Sequence, residues 1–374
     1  MKTNFFLILI SMLLIVFSCN PTSKKKEESV YENSKTIKDS VLYSFAFVGC
    51  NRIQYSDWHN DSATNASTAN LSALKRIYND MIDLKKKPSL FFFLGDLVLA
   101  ESNTDNLDAQ LEAWVKLYED TSFSNISNSG IELVAVPGNH EMLYYKDYGV
   151  KGHDEWPLGG ATKIWMKHMK SYMPKDRQHI TGKDSLINQM TFSFTRNNVG
   201  FVVMNTDTYN PPTKENPYGL EGIIPTQWII NKIKEYRKDS NIDHVFVLGH
   251  KPYYVNGKPE TGHKGFPEGP ILWPELQNSE VIAMLSAHVH DYERMQPEGK
   301  GTYQIIAGNA GSDGPAKFFG YSVINILNNG EVQLISRGFD KGKPYYKDVP
   351  NNLFKVRDST ILTWAKNKNP YEYN

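Results

Sequence analysis

Cysteine is scarce in this sequence. The 374 residues include only Cys19 and Cys50. Two cysteines, beside the oxygen-bearing side chains described below, do not fit the closed cysteine and histidine cage of a structural zinc site. The sequence therefore excludes a small zinc-stabilised domain.

An excess of charge of either sign is also absent. Lysine and arginine number 41 together, and so do aspartate and glutamate, so the chain has no net field that would attract a polyanion. The sequence also lacks a basic patch interleaved with aromatic residues. We therefore expect no binding to nucleic acid.

Internal repeats and long linkers rich in proline or serine are missing as well. A chain of this length could hold one large domain or two smaller ones. Because no linker divides the chain, the simpler interpretation is a single domain, which we place at residues 41–374.

A long apolar run occurs at the N-terminus. Lys2 precedes the run Phe5–Phe17, which is too short to span a bilayer as a stable helix but is typical of the core of a signal peptide. The run ends in Ser18-Cys19, which resembles a relaxed bacterial lipobox. Ordinary secretory cleavage near Ser18 is the alternative.

We therefore expect residues 1–19 to be a lipoprotein-type signal peptide and residues 20–40 to be a polar tether. The protein would be exported and would be anchored to the membrane by lipid on Cys19, in the bacterial periplasm or at the cell surface. Cys50 would then have no disulfide partner in an oxidising compartment.

Four short polar motifs each follow a short apolar run rich in Phe, Val and Leu. The runs are residues 90–94, 131–136, 245–248 and 281–286. The motifs after them are Gly95-Asp96, Gly138-Asn139-His140-Glu141, Gly249-His250 and Ala287-His288-Val289-His290, the last followed by Asp291-Tyr292-Glu293-Arg294. Such runs are typical of buried strands, and open α/β sheets gather their ligand sites at the carboxyl ends of strands. Oxygen-bearing and imidazole side chains collected there could hold a pair of metal ions.

The rest of the pattern predicts helices between the strands and two hairpins. Residues 44–48 read as the first strand, and apolar residues at helical spacing follow from Leu71 to Ile82, with Thr68 as a cap, and from Leu107 to Tyr118. Two pairs of segments predict antiparallel hairpins, namely 190–196 with 201–204 and 321–327 with 332–336. The predicted fold class is α/β with mixed sheets.

The order of the motifs resembles that of the calcineurin-like metallophosphoesterases, and within them that of the purple acid phosphatases. The last block of these phosphatases reads Gly-His-Val-His-x-Tyr-Glu-Arg, which is similar to residues 287–294 here. Other stretches that look alike are Gln227-Trp228, Lys251-Pro252-Tyr253-Tyr254 and Gly308-Asn309-Ala310-Gly311. The likeness covers residues 43–337 and implies a four-layer αββα sandwich.

The resemblance also implies a dinuclear hydrolase. Asp96 would bridge two metal ions, with Asn139, His250 and His288 completing one position and His290 the other. The ions would be divalent or trivalent transition metals, with iron, zinc and manganese as the candidates. A hydroxide bridging them would attack a phosphate ester. Phosphomonoesters and phosphodiesters both remain open as substrates.

Two positions depart from the purple acid phosphatases. Leu99 stands where they have an iron-binding tyrosine, and Gly49-Cys50-Asn51-Arg52 lacks the aspartate of their first block. Residues 45–50 look instead like the first block of alkaline phosphatase D-type enzymes, which use a cysteine thiolate on iron. Cys50 is therefore the first candidate for the missing ligand, and Asn51 is the fallback.

Three residues are candidates for contact with the substrate. His140 follows Asn139 and would donate to a substrate oxygen or protonate the leaving group. His263 lies in the loop after His250, where plant purple acid phosphatases place substrate-facing histidines; a solvated loop residue is the alternative. Arg52 would bind phosphate oxygens in a fork, or else form an ion pair at the rim of the site.

Three further charged residues, Glu141, Glu293 and Arg294, lie close in sequence to the expected ligands. We expect them to orient the ligand histidines through hydrogen bonds.

A rival function has no catalysis. The chain could be a surface lipoprotein that keeps the metallophosphoesterase fold in order to bind a partner or a ligand, as the loss of two family ligands suggests. The enzyme is favoured because a binding scaffold needs neither a bridging ligand set nor a general acid. The retained residues are Asp96, Asn139, His140, His250, His288 and His290.

Overall fold

A computed structural model describes most of the chain after the predicted tether. The described residues are 41–54, 57, 65–100, 103–142, 160–181, 188–210, 220–349 and 352–364. The predicted signal peptide, the predicted tether and Cys19 lie outside them. Within the described residues, no helix has the length and apolar character needed to cross a membrane.

The first sheet has a parallel half and an antiparallel half. The parallel strands are β1 (Val41–Val48), β2 (Leu90–Leu94) and β3 (Glu132–Val136). Antiparallel strands continue the sheet from β1, namely β15 (Phe318–Leu327), β16 (Val332–Asp340) and β17 (Lys355–Ile361). The strand order is β17-β16-β15-β1-β2-β3.

The second sheet has a parallel centre with antiparallel strands on both sides. The central strands are β6 (Val199–Met204), β9 (His244–Gly249), β12 (Ala283–Ser286) and β14 (Tyr303–Ala307). The flanking strands are β4 (Gln178–His179), β5 (Phe192–Arg196) and β13 (Tyr292–Met295). The strand order is β13-β14-β12-β9-β6-β5-β4. Two short ribbons pair β7 (Tyr209–Asn210) with β8 (Leu220–Glu221) and β10 (Tyr254–Val255) with β11 (Lys258–Pro259).

Helices alternate with the parallel strands. They are α1 (Leu71–Ile82), α2 (Thr104–Glu119), α3 (Ala161–Met169), α4 (Thr226–Lys238) and α5 (Gly269–Asn278). Single turns of 3₁₀ helix occur at Ile126–Asn128 and Lys170–Tyr172. The helices predicted after β1 and β2 are confirmed, and so are both predicted hairpins, β5-β6 and β15-β16.

The first helix is capped by Asn70 and not by Thr68. The Asn70 side chain accepts the N–H of Ala73 at 3.2 Å, which satisfies one of the free donors of the first turn. The prediction that Thr68 is the cap is therefore wrong. The Thr68 hydroxyl accepts the N–H of Leu99 at 2.8 Å instead, so it fixes the loop that follows β2.

Aromatic side chains of the first sheet pack against the second sheet. Phe45 of β1 and Phe92 of β2 both contact Phe201 of β6, with ring centroids 5.0 and 5.2 Å apart. Phe45 also lies 5.1 Å from Phe246 of β9. Strand residues alternate between faces, so the neighbours of Phe92 in β2 must face the other way.

Those neighbours pack against helices. Phe91 lies 6.1 Å from Tyr78 of α1, and Phe93 lies 5.6 Å from Trp114 of α2, measured between ring centroids. One face of the first sheet is therefore covered by helices, and the other by the second sheet.

The outer face of the second sheet is covered in the same way. Val202 of β6 and Val247 of β9 belong to an apolar cluster with Ile229 and Ile233 of α4 and with Leu272 of α5. Helices, sheet, sheet and helices thus form four layers, and the predicted αββα sandwich is confirmed.

Candidate metal centre

The loops after five parallel strands, β1, β2, β3, β9 and β12, carry the motifs found in the sequence. Backbone hydrogen bonds join neighbouring loops. The Asn51 N–H donates to the Asp96 carbonyl, and the Ala287 N–H donates to the His250 carbonyl, both at 2.9 Å. The polar side chains therefore lie at the carboxyl ends of the strands, as the pattern predicts.

Two glycines allow these loops to approach one another. A Cβ atom on Gly95, whose φ is +82°, would lie 2.6 Å from Nδ1 of His250. A Cβ atom on Gly138 would lie 2.6 Å from Oδ1 of Asp96. Side chains at these positions would force apart the residues that the site brings together.

Three of the site residues adopt a left-handed backbone conformation that is uncommon for residues other than glycine. The φ angles are 62° for Cys50, 57° for Asp96 and 60° for His288. Such conformations cost on the order of 1–3 kcal/mol each and persist where the surrounding structure enforces them. Three such residues lie together after the ends of β1, β2 and β12, which fits a functional site at this edge.

One group of donor atoms centres on Asn139. Its Oδ1 lies 3.0 Å from Nε2 of His250 and 3.1 Å from Nδ1 of His288, and these two ring nitrogens are 3.1 Å apart. Oδ1 of Asp96 lies 3.4 Å from the same nitrogen of His250. Two oxygens and two nitrogens therefore converge on one point.

A second group consists of Cys50, Asp96 and His290. Their sulfur, oxygen and nitrogen atoms lie within 4.8 Å of one another, and so do the ligand atoms of Asp96, His250 and His288. Asp96 belongs to both groups. A carboxylate has enough lone pairs to serve two cations at once.

Backbone carbonyls orient the imidazoles. The Nδ1–H of His250 donates to the Leu94 carbonyl at 2.7 Å, and that of His290 donates to the Asp313 carbonyl. Each bond fixes the tautomer in which Nε2 carries a lone pair, which is the form that binds a metal.

Burial keeps the His288 and His290 imidazoles neutral. It lowers the pKa of His290 to about 4 and that of His288 well below its ordinary value, and nearby positive groups add to both effects. Neutral imidazole is the form that a metal requires, because a protonated ring has no lone pair to donate.

The Asp96 carboxylate remains ionised. Burial alone would raise its pKa, but the neighbouring His250, His140 and Arg52 outweigh burial and hold the pKa well below its usual range. Nε of Arg52 lies 3.6 Å from Oδ2 of Asp96, and the Arg52 guanidinium donates to Gln54 at 2.9 Å. Arg52 thus forms the ion pair that was the alternative interpretation; its contact with phosphate stays a prediction.

His140 and His263 flank the donor groups. The Nδ1–H of His140 donates to the Leu99 carbonyl at 2.7 Å, and burial lowers the pKa of its ring to about 3. The exposed His263 ring lies 5.0 Å from the His288 ring, with the two planes at 74°. Both candidates are therefore beside the site, whereas their roles toward substrate stay predictions.

The fallback ligand Asn51 is engaged elsewhere through its amide nitrogen. This nitrogen donates to the Ala310 carbonyl at 2.8 Å and to the Asn70 carbonyl at 3.3 Å. Oδ1 of Asn51 is buried and has no hydrogen-bond partner among the described residues.

Glu141 does not orient a histidine, contrary to expectation. Its carboxylate accepts the N–H groups of Asp96 (2.9 Å), Leu97 (2.7 Å), Val98 (3.2 Å) and Gly138 (2.8 Å). The buried carboxylate thereby ties the loop after β2 to the loop after β3 and fixes the backbone of Asp96 itself.

The expectation is also wrong for Glu293 and Arg294. Glu293 accepts the N–H of Asn256 at 2.9 Å. Arg294 pairs with Asp358 of β17 through contacts of 2.6 and 3.2 Å. Backbone carbonyls orient His250 and His290 in their place.

A buried ion pair behind the site was not predicted. Lys251 follows His250 directly, and its Nζ lies 3.4 Å from Oδ1 of Asp207, with both side chains fully buried. The Lys251 N–H donates to the Thr206 hydroxyl at 2.9 Å, and that hydroxyl donates to Asp207 at 3.0 Å. A lysine beside a ligand was the available signal, but nothing in the sequence identifies its partner.

A family model for calcineurin-like phosphoesterases matches residues 52–292. The chain belongs to this family, whose members are metal-dependent phosphoester hydrolases. No curated protein sequence matches the chain.

Among solved structures, PhoD is similar to this chain. The sequences are 13% identical, the TM-score is 0.52, and the match covers 85% of this chain and 69% of PhoD. The purple acid phosphatase PPD1 from yellow lupin (Lupinus luteus) seeds is 15% identical, with a TM-score of 0.49 over 80% of this chain and 52% of that one. GAP50, the anchor in the inner membrane complex of Plasmodium, is 14% identical, with a TM-score of 0.46 over 87% of this chain and 90% of that one. This chain therefore spans about half the length of the lupin phosphatase.

Proposed function

We propose that this protein hydrolyses phosphate esters with two metal ions that share Asp96. The observation that carries the proposal is the overlap of two donor groups in one carboxylate, at the edge where five strands end. Membership in the calcineurin-like phosphoesterase family supports the same reaction class.

The donor atoms fit transition metals. Asp96, Asn139, His250 and His288 would hold one ion with oxygen and imidazole nitrogen. Cys50, Asp96 and His290 would hold the other, and a sulfur donor favours iron or zinc over magnesium or calcium. When bound, the two ions would acidify a water molecule and neutralise charge on the phosphoryl oxygens.

The side chains around the ions then have separate tasks. The Nδ1–H of His140 is held by the Leu99 carbonyl, so its Nε2 carries a lone pair; it would accept a proton there and pass that proton to the leaving group. The mostly buried Arg52 guanidinium would contact phosphoryl oxygens, since it already lies beside Asp96. His263, which is exposed, would contact the part of the ester farther from phosphorus.

Metal analysis and a substrate panel test the proposal. The full chain, reconstituted with iron, zinc or manganese, should carry about two metal equivalents and hydrolyse aryl phosphate monoesters or diesters. A chelator should abolish turnover, and added metal should restore it. One tightly bound equivalent with full activity would contradict the two-ion site. Two equivalents without turnover on any ester would instead favour the non-catalytic scaffold.

We also propose that the protein is exported and anchored to a membrane by lipid on Cys19. The support is the short apolar run Phe5–Phe17 with Ser18-Cys19 at its end.

A further inference from the structure

The segment 309–316, which we name the late turn, contacts both stretches of chain that supply the second donor group. The Ser312 N–H donates to the Cys50 carbonyl at 2.9 Å. The Ala316 N–H donates to the His290 carbonyl at 3.0 Å. The late turn thus holds the backbone of Cys50 and of His290 together.

The late turn also holds the His290 ring. Its Asp313 carbonyl accepts the Nδ1–H of His290. The next residue, Gly314, lies so close to His290 that a Cβ atom there would overlap the Cβ atom of the histidine. A small movement of residues 313 and 314 would therefore turn the imidazole away from Cys50 and Asp96.

Lys341, the residue after β16, holds Asp313 and Gly314 in place. Its ammonium donates to the Asp313 carboxylate at 2.6 Å and to the Gly314 carbonyl at 2.8 Å. It also lies 5.6 Å from the Phe319 ring centroid and 5.7 Å from that of Tyr345. Lys341 directly follows β16 of the six-stranded sheet, whereas His290 precedes β13 of the seven-stranded sheet.

The first donor group does not depend on the late turn. His250 is oriented by the Leu94 carbonyl, and Asn139 lies in the loop after β3. Among the described residues, no hydrogen bond joins the late turn to Asn139, His250 or His288. Loosening the late turn should therefore affect one metal position and spare the other.

We propose that Lys341 is a positioning residue for the metal position formed by Cys50, Asp96 and His290. It acts through Asp313 and Gly314, and it sets the affinity of that position for its ion independently of the other position. The inference rests on the proposed two-metal site and adds to it a selective determinant of occupancy.

The test uses the full chain loaded with Co²⁺, with Lys341→Met and Asp313→Asn as the variants. Metal equivalents are measured by elemental analysis, and the thiolate-to-cobalt absorption band reports the ion bound to Cys50 alone. Both variants should bind one of two equivalents about 10-fold more weakly and should lose the sulfur band in parallel. Lys341→Arg, which keeps a cation at this place, should retain both the parental metal affinity and the sulfur band.

Asp340→Asn is a matched control. It breaks the Arg357–Asp340 pair, whose contact is 2.5 Å and whose side chains are 21% and 60% exposed, against 2.6 Å with 20% and 49% for Lys341–Asp313. This control should keep both equivalents and the full band, while thermal unfolding shows whether each variant is folded.

The inference is overturned if Lys341→Met keeps both equivalents with parental affinity, if it loses both equally, or if Asp340→Asn weakens binding as much. A parent protein with one equivalent, or with two and no sulfur band, shows instead that the proposed metal set is wrong, and the inference then falls with it.

Discussion

The surroundings of Cys50 suit a residue that would bind a metal ion. It is fully buried at the end of β1, and its sulfur accepts the backbone N–H of His288. Burial raises the pKa of the thiol well above its ordinary value, and the Asp96 carboxylate raises it further. A bound cation would instead lower the pKa of the thiol, because coordination deprotonates it. A buried cysteine beside a carboxylate and an imidazole therefore fits a metal ligand better than an inert apolar side chain.

We predict that Cys50→Ser lowers the metal content toward one equivalent and removes any thiolate-to-metal absorption band, with a large loss of turnover. The reason is that a serine hydroxyl is a far weaker ligand than a thiolate for iron or zinc. Metal analysis and absorption spectra of the full chain provide the measurement. If Cys50→Ser keeps both metals and full activity, the cysteine is not a ligand and Asn51 takes its place as the candidate.

Loss of His140 should lower turnover alone, whereas loss of its neighbour Asn139 should also lower metal content. His140→Ala should lower kcat by about 10²–10⁴, the usual range for a general acid or base, while two metal equivalents remain bound. Asn139→Ala and His250→Ala should lower metal content as well, because their side chains converge with Asp96. Equal metal loss in all three variants would remove His140 from the catalytic role.

Two residues of the last motif, Tyr292 and Arg294, hold strands β13 and β17 together and do not orient a histidine. The Tyr292 hydroxyl donates to the Asp358 carboxylate at 2.7 Å, and Arg294 forms two further bonds with the same carboxylate. Burial alone would raise the pKa of Asp358, but Arg294 and Tyr292 outweigh burial, and the net pKa is lowered. Because β13 and β17 belong to different sheets, this cluster fastens the C-terminal strand across the sandwich.

We predict that Asp358→Asn lowers the free energy of unfolding by about 1–2 kcal/mol at pH 7, a value reduced for partial exposure. A lowered pKa in the folded state means that the stabilisation is complete above the ordinary carboxyl pKa of about 3.9 and is lost as pH falls through the folded value. The difference between parent and variant should therefore shrink in acid. Denaturant unfolding at pH 7 and near pH 3 measures it.

The control is Asp348→Asn, which breaks the pair between Arg76 and a carboxylate that is 61% exposed. It should change stability by less than about 0.5 kcal/mol. An Asp358→Asn protein as stable as the parent at pH 7 would show that the cluster does not fasten β17.

These elements also show what the sequence could predict. Strand ends were predictable because short apolar runs bounded by glycine have few other interpretations, as for Leu90–Leu94 before Gly95-Asp96. The partners of Arg294 and Glu141 were not, although both lie beside expected ligands. Asp358 is 64 residues from Arg294, and it comes near only through the register of the C-terminal hairpin. Glu141 binds backbone N–H groups, which carry no side-chain signal.

At the scale of the molecule, each donor group draws on both sheets. Asp96 follows a strand of the six-stranded sheet, while His250, His288 and His290 follow strands of the seven-stranded sheet. Cys50 joins Asp96 from the first sheet, and Lys341 reaches the late turn from that same sheet. The site therefore depends on how the two sheets pack. The sequence could therefore propose the donor residues, whereas the contact of Lys341 with Asp313 and Gly314 became visible only in the fold.

The N-terminus adds a prediction about where this enzyme works. Phe5–Phe17 is too short for a stable span, and Ser18-Cys19 at its end suits lipid attachment. The parent should sediment with membranes and incorporate labelled palmitate, whereas Cys19→Ala should be released or remain unprocessed. Cys50→Ser, the other cysteine variant, should fractionate like the parent, because only Cys19 follows the apolar run. If Cys19→Ala matures and sediments as the parent does, ordinary secretory cleavage near Ser18 replaces the lipid anchor.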